Sequence, residues 1–258
     1  MAEIHSTAVV DSGAELASDV KVEAYAVIGA GVELRSGVVV GPHAVVSGLT
    51  RVGAGTRISS HASLGCLLQH RDHAGEPTRL EIGCENEIRE HVTISLGTVE
   101  GGGCTFIGDR NLIMNASHVG HDCRIGSHCE MASFSGLAGH VVVEDYAVLG
   151  AYTGIHQHCR VGQNVMAASG AKLSLDAPPF TLVAGDRARL VGLNDVGLRR
   201  RGVSPDRQLA LKRAFRTIFR SGLRLEEAVQ RLTPDFSGHP EIEHLLGFLQ
   251  KSERGFCR

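Results

Sequence analysis

Large aliphatic residues recur at every sixth position through the first quarter of the chain. Stepping by six from Ile4 reaches an unbroken series of aliphatic residues: Val10, Leu16, Val22, Ile28, Leu34, Val40, Val46, Val52, Ile58 and Leu64. A small or β-branched residue stands four positions after each of the first ten, from Ala8 to Ala62. An α-helix repeats its apolar stripe every 3.6 residues and a simple strand every 2, so neither fits. A short strand and a corner in each six-residue unit predict the faces of a parallel β-helix.

The six-residue period is interrupted twice before it ends. It is lost over about residues 65–81 and again over about residues 95–106, and it then continues to Val161. Both interruptions predict loops that leave the solenoid. We assign residues 1–175 to the β-helix, because the following Asp-Ala-Pro-Pro segment contains prolines that cannot donate to a parallel ladder.

Residues 176–258 have a helical pattern and predict a small C-terminal helical domain. Ser204 and Pro205 form an N-cap and first-turn pair, and Gly222 is the predicted stop of the helix that follows them. The apolar face of this helix carries Leu211, Phe215, Ile218 and Phe219. A second helix is predicted near 225–232, and a third is predicted from the spacing of Ile242, Leu245, Leu246 and Leu249.

Composition and charge suit a soluble globular chain. Of 258 residues, 43% are hydrophobic and 21% charged, and the formal net charge of −2 argues against nucleic acid as a partner. No run approaches the ~18 apolar residues of a membrane span, and no signal pattern begins the chain, so we expect a cytoplasmic protein. Nine basic residues and one acid lie between Arg199 and Arg224, which favours an anionic partner there.

The seven cysteines form an odd set without a Cys-x-x-Cys pair, which predicts neither a disulfide framework nor a thiolate zinc site. Cys123, Cys129 and Cys159 occupy the small inward position of their repeats. We therefore expect buried packing residues rather than nucleophiles. This expectation removes the obvious covalent mechanism.

Several histidines fall on neighbouring turns of the predicted solenoid. With three repeats per turn, residues 18 apart stack about 4.8 Å apart, so His121, Gly139 and Gln157 form one column. His118, His140 and His156 lie within three residues of that column. Imidazole serves both as a general base near neutral pH and as a zinc ligand, and the spacing alone leaves both chemistries open.

Together these blocks resemble the acyl-[acyl-carrier-protein]–UDP-N-acetylglucosamine O-acyltransferases, the first enzymes of lipid A synthesis. The resemblance covers essentially the whole chain. It rests on the six-residue repeats and on five segments, of which the histidine blocks and the arginine run are the most specific: 74–78 (AGEPT), 115–123 (NASHVGHDC), 137–140 (LAGH), 155–157 (IHQ) and 197–202 (GLRRRG).

The resemblance implies a left-handed parallel β-helix, assembled as a homotrimer with active sites between subunits. It also implies direct acyl transfer without an acyl-enzyme and without a metal or other cofactor. His121 would be the general base for the sugar 3-hydroxyl, Asp122 would orient it, and the Gly139 N–H would stabilise the oxyanion. The donor would be a (R)-3-hydroxyacyl carrier protein, whose acidic surface would suit the basic C-terminal segment.

The same resemblance implies roles for further residues. His118, His140, His156 and Gln157 would contact the sugar nucleotide and phosphopantetheine. Asn194, Arg200 and Arg201 would bind the nucleotide and its phosphates, for which the planar guanidinium is well suited. Met114 would touch the acyl chain, and Ser169 falls where the family sets chain length.

Two departures from the family pattern concern substrate recognition. The segment that handles the sugar reads His-Arg-Asp-His here, so His70 and Asp72 are the candidates in a rearranged order, and Val196 stands where an acid is usual. A related sugar nucleotide such as the 3-amino analogue, acylated at nitrogen, is therefore an alternative substrate. A zinc-dependent carbonic anhydrase on the same solenoid and a non-catalytic scaffold are the alternatives from other classes.

Overall fold

The computed structural model describes residues 1–66, 77–235 and 238–258. Short parallel strands follow one another around three sheets, which form the three faces of a β-helix and enclose one long core. Strands three repeats apart are neighbours in the same sheet, as Glu3–Ile4 and Lys21–Val22 show. The predicted repeat of three units per turn is confirmed.

Sheet A is the longest of the three faces. Its strands, in spatial order, are β1 (Glu3–Ile4), β4 (Lys21–Val22), β7 (Val39–Val40), β10 (Arg57–Ile58), β13 (Glu87–Ile88), β16 (Leu112–Ile113), β19 (Glu130–Met131), β22 (Val148–Leu149), β25 (Met166–Ala167), β27 (Thr181–Ala184) and β28 (Arg189–Leu193). All neighbours pair in parallel except β27 and β28, which form an antiparallel pair.

Sheet B carries the strand on which the histidine cluster begins. Its strands, in spatial order, are β2 (Val9–Val10), β5 (Val27–Ile28), β8 (Val45–Val46), β11 (Ser63–Cys66), β14 (Thr93–Ser95), β17 (His118–Val119), β20 (Gly136–Leu137), β23 (Gly154–Ile155) and β26 (Lys172–Leu173). Sheet C contains β24 (Arg160–Val161), β21 (Val142–Val143), β18 (Arg124–Ile125), β15 (Cys104–Ile107), β12 (Arg79–Ile82), β9 (Leu49–Val52), β6 (Glu33–Leu34) and β3 (Glu15–Leu16).

The aliphatic residues of the six-residue period point into the core, and the small residues fill the corners between faces. Ile28, Leu64, Ile94 and Ile125 are almost fully buried. Cys123, Cys129 and Cys159 are buried as well, which confirms them as packing residues. Burial raises the pKa of the Cys123 and Cys129 thiols to about 12, so their thiolates are scarce at neutral pH.

The prediction that the two prolines end the solenoid is wrong in one respect. They lie before β27, which still pairs in parallel with β25, and β28 then closes the edge of sheet A. Proline is tolerated there because it precedes the strand and takes no place in the ladder. The division of the chain into two domains at residue 175 stays a prediction.

The two interruptions are shorter than predicted because longer strands extend into them. β11 continues to Cys66 and β12 begins at Arg79, while β14 ends at Ser95 and β15 begins at Cys104. The second loop, residues 96–103, turns back over the solenoid and is closed by a 2.7 Å hydrogen bond from the Gly103 N–H to the Thr98 carbonyl. The loop thereby contacts the next coil of the β-helix.

Four helices follow the strands: α1 (Asp195–Arg200), α2 (Pro205–Phe219), α3 (Leu225–Asp235) and α4 (Pro240–Gln250). Ser204 caps α2 by accepting from the Arg207 N–H at 3.4 Å, as predicted. The short α1 was not predicted, since only Leu198 on it is buried. None of the helices in the described ranges has the length and apolarity that a bilayer span needs.

Candidate functional site

His121 and Asp122 lie at the corner between sheets B and C, just after β17. His121 Nδ1 is 2.8 Å from the Asp122 carboxylate, and the His121 side chain is 19% exposed whereas that of Asp122 is 1% exposed. Asp122 has a backbone φ of +59°, a region that Asp tolerates better than most residues. The turn thus holds a buried carboxylate behind a partly exposed imidazole.

The second loop fixes the Asp122 carboxylate from the opposite side. The N–H and the hydroxyl of Thr98 donate to its two oxygens at 2.8 and 2.7 Å. Gly101 lies against the same carboxylate so closely that a Cβ there would sit 2.1 Å from the Asp122 Cγ. The Thr105 hydroxyl accepts the backbone N–H of Asp122 at 2.8 Å. Sequence reasoning missed Thr98, because its contacts depend on how the loop folds back, and it also missed Thr105, which lies on β15.

These hydrogen bonds keep Asp122 ionised despite its burial. Burial alone would raise the pKa of the Asp122 carboxyl, but the hydrogen bonds from His121 and Thr98 outweigh it, and the pKa lies below its ordinary value. A carboxylate that stays charged at neutral pH accepts the Nδ1–H of His121 and leaves the basic lone pair on Nε2. His121 is therefore oriented and polarised as a general base requires.

Gly139 occupies the next coil directly beside the His121 ring. A Cβ at Gly139 would lie 2.5 Å from His121 Cε1, so a side chain there would displace the imidazole ring. Among the described residues, no acceptor lies within hydrogen-bond reach of the Gly139 N–H. A backbone N–H directed beside a general base is the arrangement that stabilises an oxyanion.

His140 completes the cluster around the carboxylate. Its Nε2 lies 3.7 Å from Asp122 Oδ2, and its ring meets the His121 ring edge-on at 5.1 Å between centroids. His158, which was not predicted, stacks on His140 at 4.4 Å. Of the described residues, His121, Asp122 and His140 form the one group with ligand atoms close enough to hold a metal ion.

His118 and His156 line a groove on sheet B, with a volume of about 720 Å³. His118 Nδ1 is 2.8 Å from the Thr93 hydroxyl. Burial lowers the pKa of His118 below its ordinary value, and the neighbouring His121 lowers it further, so His118 is neutral at pH 7. His156 is exposed, and its Nδ1 lies 3.2 Å from the carbonyl of Gln157, the next residue in the predicted column.

The predicted nucleotide-binding residues lie together on a different face. Asn194, Arg200 and Arg201 line a second pocket of about 550 Å³ over sheet A, which shares no lining residue with the sheet B groove. The Arg201 guanidinium stacks on Tyr146 at 3.5 Å. The Asn194 side chain caps α1 by accepting from the Gly197 N–H and donating to the Asn164 carbonyl, both at 2.9 Å.

The remaining predicted residues are further from the histidine cluster. Met114 follows β16 and Ser169 follows β25, at the corner between sheets A and B. These strands are three rungs apart, or ~14 Å. His70 and Asp72 lie outside the described residues. A single subunit thus presents a histidine–carboxylate centre on one face and a basic pocket on another.

Comparison with known proteins agrees with this geometry. Residues 104–139 match the bacterial transferase hexapeptide family model, and residues 176–257 match the model of domain 2 of UDP-N-acetylglucosamine O-acyltransferase. Fold and site together define a hexapeptide-repeat transferase.

Full-length relatives narrow the class to one family. The chain is 50% identical to the acyl-[acyl-carrier-protein]–UDP-N-acetylglucosamine O-acyltransferase of Thiobacillus denitrificans and 48% identical to that of Janthinobacterium sp., with all of each chain covered. The structure of LpxA from Acinetobacter baumannii superposes with a TM-score of 0.96 at 38% identity over 99% of both chains. The chain therefore belongs to the acyl-[acyl-carrier-protein]–UDP-N-acetylglucosamine O-acyltransferase family.

Proposed function

We propose that this protein transfers a (R)-3-hydroxyacyl chain from acyl carrier protein to the 3-hydroxyl of UDP-N-acetylglucosamine, the first step of lipid A synthesis, in the cytoplasm. The observation that carries the proposal is the His121 ring, held by the buried Asp122 against the backbone of Gly139. The family to which the chain belongs supports the substrates.

The reaction needs one proton acceptor and no covalent enzyme intermediate. His121 Nε2 takes the proton of the sugar hydroxyl as its oxygen attacks the thioester carbonyl carbon, and the Gly139 N–H stabilises the oxyanion that forms. When the carbon–sulfur bond breaks, the imidazolium returns its proton to the departing thiolate. The buried cysteines, with their raised pKa values, are poor nucleophiles and support direct transfer.

A homotrimer with sites between subunits accounts for the two separated faces. The centre at His121 is on the edge of sheet B, and the pocket of Arg200 and Arg201 is over sheet A. A ring of three subunits brings sheet B of one to sheet A of the next and repeats one composite site three times. The nucleotide phosphates would then pair with the arginines while the sugar reaches His121 of the neighbouring subunit.

The exposed basic face of α2 is the proposed docking surface for the acidic carrier protein. Arg213 and Arg216 are exposed on this helix, and Arg220, its C-cap residue, is exposed as well. Arg207 and Lys212 are already paired, with Glu241 and Asp195, so they contribute less free charge. Electrostatic steering toward such a surface falls with ionic strength.

No cofactor takes part in this mechanism, and metal analysis tests that directly. His121, Asp122 and His140 offer two imidazoles and a carboxylate, whereas the carbonic anhydrase alternative needs three ligating histidines. Stoichiometric zinc that is lost in His121→Ala, together with carbon dioxide hydration, would replace the acyltransferase proposal.

Mass spectrometry of the products is the decisive experiment. The protein is mixed with 3-hydroxyacyl carrier proteins of several lengths and with equal UDP-N-acetylglucosamine and its 3-amino analogue. We expect the O-acylated sugar nucleotide, and a loss of ~10²–10⁴-fold in rate in His121→Ala but not in the matched control His5→Ala. Amide product alone would move the specificity to the analogue. An unchanged rate in His121→Ala would favour the scaffold alternative.

A further inference from the structure

A column of stacked rings runs along the corner between sheets A and B. Tyr25, His43, His61 and His91 stand on four consecutive coils, each between a sheet A strand and the sheet B strand that follows it. Their ring centroids are 5.0, 4.9 and 5.1 Å apart, and the planes of neighbouring rings differ by 13°, 3° and 7°. We call His43, His61 and His91 the histidine ladder. The transfer mechanism described above does not use it.

Backbone hydrogen bonds hold the ladder in register from coil to coil. The His61 N–H donates to the Pro42 carbonyl and the His91 N–H donates to the Ser60 carbonyl, both at 3.3 Å. The sequence period alone does not reveal the ladder, because the first interruption of the period lies between His61 and His91.

The packing of the corner does not explain the histidines. All three have a φ of +59°, a region in which glycine carries the smallest penalty. The shared backbone conformation directs their side chains away from the solenoid in the same direction, and all three residues are exposed. In the described part of the chain, no hydrogen bond or ion pair engages their ring nitrogens. These nitrogens therefore face outward, where a ligand from outside the subunit can reach them.

One subunit alone does not hold a metal ion on this ladder. Metal–imidazole bonds of ~2.0–2.1 Å require ligand nitrogens that converge on one centre, whereas the rings of His43 and His61 are almost parallel with centroids 4.9 Å apart. Of the described residues, the ladder is accordingly not among the groups whose ligand atoms lie close enough for a metal ion. A ligand set on the ladder must combine the same histidine from several subunits.

The proposed homotrimer brings the ladders of three subunits together. Each subunit is a prism with sheets A, B and C as its faces. His121 is at the corner between B and C, and Tyr146, on which Arg201 stacks, is at the corner between C and A. When these two corners face each other across every subunit boundary, sheet C turns outward and the corner between A and B points to the threefold axis. Each rung of the ladder then presents three equivalent imidazoles to that axis.

We propose that the histidine ladder binds one Zn²⁺ ion per trimer, on the threefold axis, through His61 of all three subunits. The inference rests on the homotrimer of the proposed function. Three imidazoles and a water molecule form a common four-coordinate zinc site, and imidazole is a ligand that Zn²⁺ prefers.

The middle rung is the favoured position for this ion. Ions on adjacent rungs would be separated by about the 4.9 and 5.1 Å between the rings, and two divalent charges so close repel each other strongly. An ion at His61 therefore excludes a second ion from His43 and His91. Imidazoles stack on both faces of the His61 ring, whereas Tyr25 flanks one end of the ladder.

The ion has a structural role at this position. It lies at a different corner of the subunit from His121, and it joins three chains at one point. Because it binds the assembled trimer and not the separated chains, it stabilises the trimer by mass action. Its stoichiometry of one ion per three chains distinguishes it from an ion at His121, which would give one per chain.

Zinc titration in the His121→Ala background tests the site. That substitution disrupts the one group of described residues within a single chain that is able to hold a metal ion. Zn²⁺ is titrated by isothermal calorimetry into metal-free protein without a histidine tag, and light scattering reports the mass of the same sample. We expect one ion per three chains.

His61→Phe, added to this background, keeps a ring in the stack and removes the ligand nitrogens. We expect zinc binding to weaken by at least ~100-fold, because changes in the partners of the ligands alone cost 10–100-fold. His128→Phe is the matched control. The His128 ring also has a φ of +59° and stacks on Tyr146 at 4.8 Å, but it lies at the corner between sheets C and A, so this variant retains the binding.

Each other outcome overturns a specific statement. If the protein is a trimer and binds no Zn²⁺, the ladder holds no metal, although the trimer and acyl transfer stand. Two ions per trimer that survive His61→Phe would place them at His43 and His91 and contradict the middle rung. One ion per chain would place the binding away from the axis. If light scattering shows no trimer, the proposed assembly itself fails and the site falls with it.

Thermal unfolding provides a second readout. In the same His121→Ala background, free Zn²⁺ at about 100 times its Kd is expected to raise Tm by ~2–4 °C, and a chelator should reverse the rise. With His61→Phe added, Zn²⁺ should leave Tm unchanged. An equal rise in both proteins would show that the ion acts elsewhere and would contradict the axial site.

Discussion

The Asp122 carboxylate stays ionised although it is buried, and its charge orients His121. Its oxygens accept from His121 and from two groups of Thr98, and these bonds lower the pKa of the carboxyl against the effect of burial. Its ionised form then fixes the tautomer of His121, on which the base depends.

Replacing Asp122 with Asn is expected to lower kcat by at least ~10²-fold with little change in KM, because the amide cannot stabilise the imidazolium formed in the transition state. Steady-state kinetics at pH 7.5 measure both constants. Asp109→Asn is the matched control, since Asp109 also accepts a backbone N–H at a corner but is remote from His121. An unchanged kcat in Asp122→Asn would remove the carboxylate from the mechanism.

His118 makes the stability of the fold depend on pH in a definite direction. Its folded-state pKa is lowered by burial and then by His121, so the unfolded chain binds a proton more readily below pH ~6.5. The folded state therefore loses stability as the pH falls through and below that value. We expect Tm to fall less between pH 7.5 and 5.5 in His118→Gln than in the wild type, by differential scanning calorimetry. A difference no larger than that of His5→Gln would exclude His118 as a contributor.

At the scale of the strands, sheet B contains inward residues that the core requires and outward residues that the core does not require. Ile94, Val119 and Leu137 point inward and are buried, so the core determines them. Gly136 points outward into open space and lines the sheet B groove, so the core does not require its small size.

Gly136→Leu is therefore expected to fold with nearly unchanged Tm and to lower kcat/KM for the acyl donor by at least ~10-fold, because the side chain displaces the thioester from its reacting position. Gly192→Leu is the matched control, since a Cβ there is equally open but lines no groove. Equal kinetics for the two variants would show that the acyl donor does not occupy the groove beside Gly136 during turnover.

The difference between the repeated strands and the irregular loops explains which features could be predicted from the sequence. The strands could be predicted because every six-residue unit repeats one inward aliphatic position. The contact between His121 and Gly139 could be predicted because residues 18 apart stack on successive turns. The contact of Thr98 with Asp122 could not be predicted, since it depends on the path of an irregular loop. Arg187 and Arg254, which line the sheet B groove, were missed for the same reason, because they reach it from segments that carry no six-residue period.

At the scale of the whole molecule, the two predicted sets of site residues are separated on one subunit, and large aromatic side chains are exposed. The predicted catalytic residues lie at the corner between sheets B and C, whereas the predicted nucleotide residues lie over sheet A. A third corner joins sheets A and B. Phe134 and Tyr152 stack at that corner with 50% and 58% of their surfaces exposed. The proposed homotrimer would bury such exposed aromatic side chains between subunits.

Mixing two inactive variants tests this arrangement. His121→Ala lacks the base and Arg200→Ala lacks a nucleotide contact, so trimers of either alone have no complete site. After joint unfolding and refolding, random assembly leaves about one site in four with both wild-type residues if each site spans two subunits. Activity should therefore return to about a quarter of the wild-type level, while light scattering reports a mass three times that of the 27.4 kDa chain. If each site were built within one subunit, the mixture would remain inactive, and the separation of the two faces would need another explanation.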